Sequence, residues 1–243
     1  MIFDAAVIIP TTLSPELLRA VRSVFAQDLE GSVQILVGID VAKGDRALID
    51  QLQGECPSNM RLNLIDIGYS TSTRHGGIYG NWSGGALRTI LSYAANSRYL
   101  AYLDDDNWWA PTHLSDLLTA IPAHDWAYAR RWYVHPGTLQ PMCVDEWEST
   151  GPDSGIYKER FKGFVDTNCL MIDKLKCHWM LPAWCLPKNR KGAGVDRVVF
   201  EHLRKKHKGI CTGKATAYYV VRESDVRIIQ RFMQHKKKAL GRA

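Results

Sequence analysis

The first half of the chain alternates short apolar runs with stretches in which apolar positions recur every three or four residues. Ala5-Ala-Val-Ile-Ile-Pro10 is unbroken and reads as a buried strand. Ser14-Pro15-Glu16 follows with an N-cap, a first-turn proline and an acid at the positive end of the helix dipole. Leu17, Leu18, Val21, Val24 and Phe25 then recur at helical spacing. Residues 33–39 form a second apolar run ending at Asp40, 46–52 a short helix, and 61–66 a third, more exposed strand. A glycine-rich loop from Arg74 to Gly85 leads into a helix through Ala95. The strand at 99–103 stops at three consecutive aspartates. Thr112 opens a helix to Ile121, and 125–129 is a further strand. Beyond it the pattern loosens into a Trp-rich, turn-rich region, with strands at 165–172 and 217–221 and helices at 196–206 and 225–238. Strands alternating with helices predict an α/β fold with a mostly parallel, twisted, Rossmann-like sheet flanked by helices. No Pro/Gly-rich linker splits the chain, so a single domain over residues 1–243 is expected.

At 243 residues and 46% hydrophobic the chain can bury a sizeable core. No apolar run approaches the roughly 20 residues of a membrane helix, and the first residues lack a signal-peptide pattern, so a cytoplasmic protein is expected. The six cysteines form no C-x-x-C pair and read as free thiols. The net charge of +6 conceals a split: residues 1–157 hold 10 basic and 18 acidic residues, and 158–243 hold 21 and 7. The two parts therefore carry −8 and +14, and the second contains Lys188-Asn-Arg-Lys191, Arg204-Lys-Lys-His-Lys208 and His235-Lys-Lys-Lys238.

Ligands of open α/β sheets bind beyond the carboxyl ends of strands. At those ends stand Thr11 and Thr12, Asp40, and Asp104-Asp105-Asp106. Three adjacent carboxylates ending an apolar strand repel one another unless a cation sits among them, and hard oxygen ligands suit Mg²⁺ or Mn²⁺. The competing reading is a solvated loop that caps the next helix.

Val7-Ile-Ile-Pro10-Thr11, Ile35-Leu-Val-Gly-Ile-Asp40, Gly84-Gly-Ala-Leu-Arg88 and Tyr99-Leu-Ala-Tyr-Leu-Asp-Asp-Asp106 resemble, in order and spacing, the family-2 glycosyltransferases of GT-A fold. The resemblance covers roughly the first 120 residues, with Arg88 sixteen positions before Asp104. Thr89 and Leu91 depart from the Asn and Gly usual there. The resemblance implies a donor lobe over 1–130 and an acceptor lobe over 131–243 that ends in the basic helix. It places Pro10, Thr11, Asp40, Arg88, Asp104 and Asp105 around a nucleoside-diphosphate sugar, UDP-linked. Asp104 and Asp106 would hold Mn²⁺ or Mg²⁺.

The inverting transfer that the resemblance implies needs a carboxylate to take the acceptor proton. Asp196, delivered by Lys191-Gly-Ala-Gly-Val-Asp196 to a helix start, is the candidate, with Asp166 in Phe164-Val-Asp-Thr-Asn-Cys169 as the rival. Asp196 also reads as a plain N-cap. Of the eight tryptophans, Trp126 reads as strand core. Trp82, Trp108, Trp109, Trp132, Trp147, Trp179 and Trp184 read as loop or element-end residues suited to stacking on sugars or to packing. No histidine reads as a metal ligand. The basic third points to an anionic, saccharide or lipid-linked acceptor and to peripheral contact with an anionic membrane. Gly209-Ile-Cys-Thr-Gly-Lys214 lacks P-loop spacing, no G-x-G-x-x-G follows a strand, and no nucleic-acid motif accompanies the charge. The alternatives are a nucleotidyltransferase on a similar scaffold and a non-enzymatic binder of nucleic acid or membrane surface.

Overall fold

The computed structural model describes residues 1–80, 84–186 and 194–240, without the side chains of 235–240. Asn81, Trp82 and the Lys188–Lys191 cluster lie outside the described residues, as do the side chains of Lys236, Lys237 and Lys238.

The elements follow the apolar pattern closely at first. β1 (Ala5–Thr11) and β2 (Val33–Ile39) are buried along their whole length. Between them α1 (Leu17–Phe25) turns Leu17, Ala20, Val21 and Val24 inward at i, i+3, i+4 and i+7. Then come α2 (Ala47–Glu55), the half-exposed β3 (Met60–Asp66), α3 (Gly85–Ala94), β4 (Tyr99–Tyr102), β5 (Trp108–Trp109) and α4 (His113–Ala120). The second half contains β6 (Trp126–Val134), β7 (Pro141–Val144), β8 (Gly151–Pro152), α5 (Lys158–Phe161), β9 (Gly163–Phe164), β10 (Leu170–Asp173) and α6 (Lys174–Cys177). It closes with α7 (Val195–Lys206), β11 (Gly209–Val220) and α8 (Glu223–Leu240).

One nine-stranded sheet runs β3-β2-β1-β4-β10-β6-β11-β5, with β7 beside β6. β1 to β4 are mutually parallel. β10 is antiparallel to both β4 and β6, so β6 runs in the direction of β4, and β11 is parallel to β6. Six strands thus share one direction, and β5, β7 and β10 oppose it. The carboxyl ends of the six open on the same edge of the sheet, which is where the sequence concentrates its aspartates. A single hydrophobic cluster extends from Val7 and Ile35 through Trp126 and Ile172 to Leu203, joining both halves of the chain. A smaller one, Tyr133, Val221, Val226 and Ile229, seats α8.

Four local expectations are corrected. Ser14 does not cap α1: Glu16 occupies the N-cap position without a side-chain bond, and the Ser14 hydroxyl donates to Asp105 Oδ2 at 3.1 Å. Thr112 does occupy the N-cap position of α4, but its hydroxyl donates to Asp116 rather than receiving a helix N–H. Residues 165–172 are not one strand, because Asp166 Oδ1 accepts the Asn168 N–H at 2.9 Å and winds 167–169 into a 3-10 turn before β10 begins. Trp132 lies inside β6 rather than in a loop or at an element end, whereas Trp108 and Trp109 are the two ends of β5. Trp132 and Trp109 spend their indole N–H on the Ala215 and Asn168 carbonyls, Trp147 stacks on Tyr133, and Trp179 stacks on His207. These are packing roles. Trp126 is strand core as read.

Candidate active site

Beyond β1, β2 and β4 a cleft of about 610 Å³ opens. Pro10, Thr11, Asp40, Arg88, Asp104, Asp105, Asp106 and Asp196 all line it, so the strand-end residues and the distant Asp196 meet in one place.

The three aspartates do different work. Asp104 is gripped from two sides. Its Oδ1 pairs with the Arg88 guanidinium from α3, its Oδ2 accepts Asn168 Nδ2 at 2.9 Å, and its own N–H donates to Asn168 Oδ1 at 2.7 Å. The Arg88 guanidinium lies over the Trp184 ring at 5.4 Å. Asp105 turns back toward β1, where its Oδ2 accepts the Thr11 hydroxyl at 2.6 Å as well as that of Ser14. The Thr11 oxygen in turn accepts the Leu13 N–H at 2.8 Å and holds that fully buried residue at φ +63°, a left-handed conformation that a leucine adopts only under such constraint. Thr11 therefore anchors the loop before it touches any ligand. Asp106 is the aspartate that opens to solvent within the cleft. Among the described residues no other residue donates a hydrogen bond to its carboxylate, and its carbonyl accepts Arg19 Nη2 at 2.6 Å.

The electrostatics follow this division. The protein walls around Asp106, with the charges of Asp104 and Asp105 added, push its carboxyl up to about 7. Burial pushes Asp105 upward too, opposed by the two hydroxyls. Among the described residues no set of three His, Cys, Asp or Glu side chains forms a closed cage for a metal ion. One open carboxylate beside a cleft does fit the way Mg²⁺ and Mn²⁺ bind when most of their ligands are waters and substrate phosphates.

Asp166 and Asp196 are separated by their partners. Asp166 is buried: Oδ2 accepts Arg131 Nη1 at 2.5 Å, and Oδ1 accepts both the N–H and the Nδ2 of Asn168. Arg131 also binds Asp145 and Glu148, at 2.8 Å each. Asp196 is the second residue of α7 and not its N-cap, which is Gly194; among the described residues its Oδ1 accepts the Arg197 N–H at 2.8 Å. Burial, and next the charge of Asp166, raises the Asp196 carboxyl above the usual range.

Asp40 stands at the end of β2, its Oδ1 accepting the Ser70 hydroxyl at 2.7 Å. The N-termini of α3 and α7 both reach the cleft, which Gly84 and Gly194 line, bringing the partial positive charge of two helix dipoles. Gly84 has φ +63°, and a Cβ there would lie 3.0 Å from that of Pro10, so the backbone approach that shapes this wall requires glycine. The sequence reading missed Lys43, His75, Asn168, Tyr219 and Arg222. Lys43, His75, Tyr219 and Arg222 line the cleft, and Asn168 supports it from beneath. An arginine inside the apolar run of β6 was a legible signal of the buried network behind it. Of the tryptophans, Trp184 is the described one that reaches the cleft.

No family model matches the chain, and no curated protein matches it in sequence. Solved structures do resemble it. TarS of S. aureus (residues 1–349) in complex with UDP superposes with a TM-score of 0.63 at 14% identity, covering 91% of this chain and 62% of that one. The same protein with UDP-GlcNAc gives 0.65 at 13%, covering 90% and 59%. The mannosyltransferase PcManGT of Pyrobaculum calidifontis, in complex with GDP-Man and Mn²⁺, gives 0.61 at 12%, covering 99% and 65%. The fold is GT-A. The chain spans about three fifths of the length of these GT-A structures. No helix among the described residues is long and apolar enough to cross a membrane.

Proposed function

We propose that the chain is a nucleotide-sugar glycosyltransferase whose donor, a UDP-linked sugar, lies in the 610 Å³ cleft. The observation that carries this reading is the convergence of the β1, β2 and β4 end residues with Asp196 on one cavity that two helix N-termini reach. Two of the structures that share the fold were solved with UDP-GlcNAc or GDP-Man in place, which supports the same class of donor.

Pro10, Thr11 and Asp40 are assigned to the nucleotide base, and Asp104 and Asp105 to the ribose side, with Arg88 and Asn168 holding Asp104 in register. Asp106 is assigned to a divalent ion, Mn²⁺ or Mg²⁺, with Asp104 in the same turn. When bound, such an ion neutralises the charge that develops on the departing diphosphate. The N-terminus of α3, Lys43 and Arg222 contribute positive potential to the same leaving group. Asp196 accepts the proton of an acceptor hydroxyl as its oxygen bonds to the anomeric carbon. The bond from that carbon to the diphosphate breaks, and the electron pair leaves with the phosphate. Direct displacement of this kind inverts the anomeric centre. Asp166 acts as a support, since its lone pairs are committed to Arg131 and Asn168. On this reading the donor lobe is 1–130 and the acceptor lobe 131–243.

Thermal unfolding tests the donor directly. UDP with Mn²⁺ at 100 times Kd stabilises a binding-competent fold by about 2.7 kcal/mol, visible as a rise in Tm. No rise with UDP, GDP or other nucleoside diphosphates, with or without metal, refutes the reading. Pyrophosphate release from a nucleoside triphosphate would instead support a nucleotidyltransferase.

A further inference from the structure

A second cavity, of about 350 Å³, adjoins the first. The two share Asp166, Asp196, Tyr219 and Arg222 in their linings, so ligands in both meet at the Asp196 carboxylate. One wall is apolar, formed by Ile228, Ile229 and Phe232 of α8, and Tyr157 and Phe164 add aromatic surface to the lining. Such surface packs against the C–H faces of sugars. The volume lies near the lower end of the roughly 300–1,000 Å³ of ligand pockets, which suits one terminal unit better than a length of polymer.

The charge of the lining decides what that unit carries. Glu148, Asp166, Asp196 and Asp225 face three guanidiniums, of Arg131, Arg197 and Arg222. Arg131 is consumed by its bonds to Asp145, Glu148 and Asp166. Arg197 packs over Tyr157 and Phe161, 4.7 Å from each ring centre. The Arg131 bonds also tie up Glu148 and Asp166, so the described lining counts four carboxylates against three guanidiniums, one formal negative charge, with Asp145 adding a further one behind Arg131. A phosphate or carboxylate entering here meets repulsion at reduced dielectric. Arg204, Lys205, Lys206 and Lys208, one of the three basic clusters behind the expectation of an anionic acceptor, are not part of that lining, and the other two lie outside the described residues or side chains.

We propose that this second cavity is the acceptor subsite and that it seats an uncharged sugar unit, one hydroxyl at Asp196 and the ring against Phe232 and its α8 neighbours. The inference rests on the donor reading above and goes beyond it by naming the acceptor's chemistry. The experiment titrates a panel of neutral methyl hexosides and their 6-phosphates into the protein by saturation-transfer NMR, with saturating UDP and Mn²⁺ and again without nucleotide. At least one neutral glycoside should bind ten-fold or more tightly than its phosphate. Phe232→Ala should weaken it at least five-fold and leave the UDP Kd unchanged. Ile228→Ser, at a half-exposed position, should weaken it by a smaller factor and controls for misfolding in the first variant. Tighter binding of the phosphates overturns the proposal. So does UDP binding with no glycoside bound, or glycoside binding indifferent to both substitutions. Loss of UDP binding with glycosides still bound instead removes the donor assignment and leaves the second cavity a sugar site.

Discussion

Replacing Arg131 with methionine keeps a long, flexible side chain and removes a cation shared by three carboxylates. Asp145 is fully buried, Asp166 is 7% exposed, and both would be left in a low-dielectric interior without their counter-charge. Glu148 is a third exposed and adds little. Removing one partner of a buried pair costs about 3–5 kcal/mol. Asp145 retains the N–H groups of Trp147, Glu148 and Ser149, and Asp166 retains Asn168, which places the loss near the lower figure, about 3 kcal/mol. Against a typical domain stability of about 5–15 kcal/mol the variant still folds. In urea, with m of about 1–3 kcal/mol/M, its midpoint should fall by about 1–3 M at unchanged m. Asp166→Asn in the Arg131→Met background should restore part of the loss, because the amide buries no charge, giving a coupling of about 1 kcal/mol or more in the double-mutant cycle. A midpoint within about 0.3 M of the parent, or two substitutions whose effects add independently, would refute the view of Arg131 as the hub of this network.

Asp196→Asn should lower the rate of UDP release from a UDP-sugar with acceptor by about 10²–10⁴-fold while leaving UDP affinity intact, and undiminished turnover removes Asp196 as base. Asp106→Asn should abolish the part of the UDP-induced rise in Tm that depends on Mn²⁺; an unchanged metal increment would place the ion elsewhere. His113, buried against Trp109 and bonded through Nδ1 to the Thr216 hydroxyl at 2.7 Å, is held down at about 3 by burial. The unfolded chain takes up that proton below about 6.5, so this contribution is complete above that pH and is lost at about 1.4 kcal/mol per pH unit as pH falls toward 3. His113→Gln should therefore flatten stability against pH between 4 and 6 by one proton, measured by urea unfolding, and an unaltered slope contradicts the burial argument.

The parts of the fold legible in the sequence are those whose apolar runs are buried on both faces. β1, β2 and β4 announce themselves as unbroken hydrophobic stretches, and the polar residues that end them mark the site because the chain has nowhere else to place them. Asp196, singled out as an acid after a glycine-containing stretch and before an amphipathic helix, lines the same cleft. What escaped depends on partners distant in sequence. β5 and β7 are two and four residues long and exist as strands only through pairing with β11 and β6. The turn at 167–169 is set by an aspartate side chain competing with the ladder, which no periodicity records. Asn168 looks unremarkable in sequence, yet it clasps Asp104 and Asp166 together, and only the placement of β10 beside β4 brings it there. The charge sum over the basic third says nothing of a particular cavity, because local charge follows which side chains line it.

The insertion of β10 between β4 and β6 has a consequence for how the chain comes off the ribosome. β4 ends at Tyr102 and its neighbour begins at Leu170, so the edge of the growing N-terminal sheet stays unpaired while about 70 residues are added. At roughly 5–20 residues per second that interval is about 3–14 s. Over this time Leu100, Ala101 and Tyr102 present an apolar edge to the nascent-chain environment, the kind of surface that pairs with the wrong partner. The same delay applies to Asp104, whose clamp arrives only with Asn168. The protein therefore spends those seconds with the Asp104 end of its cleft half-built, and slower translation across residues 103–170 should lower its soluble yield.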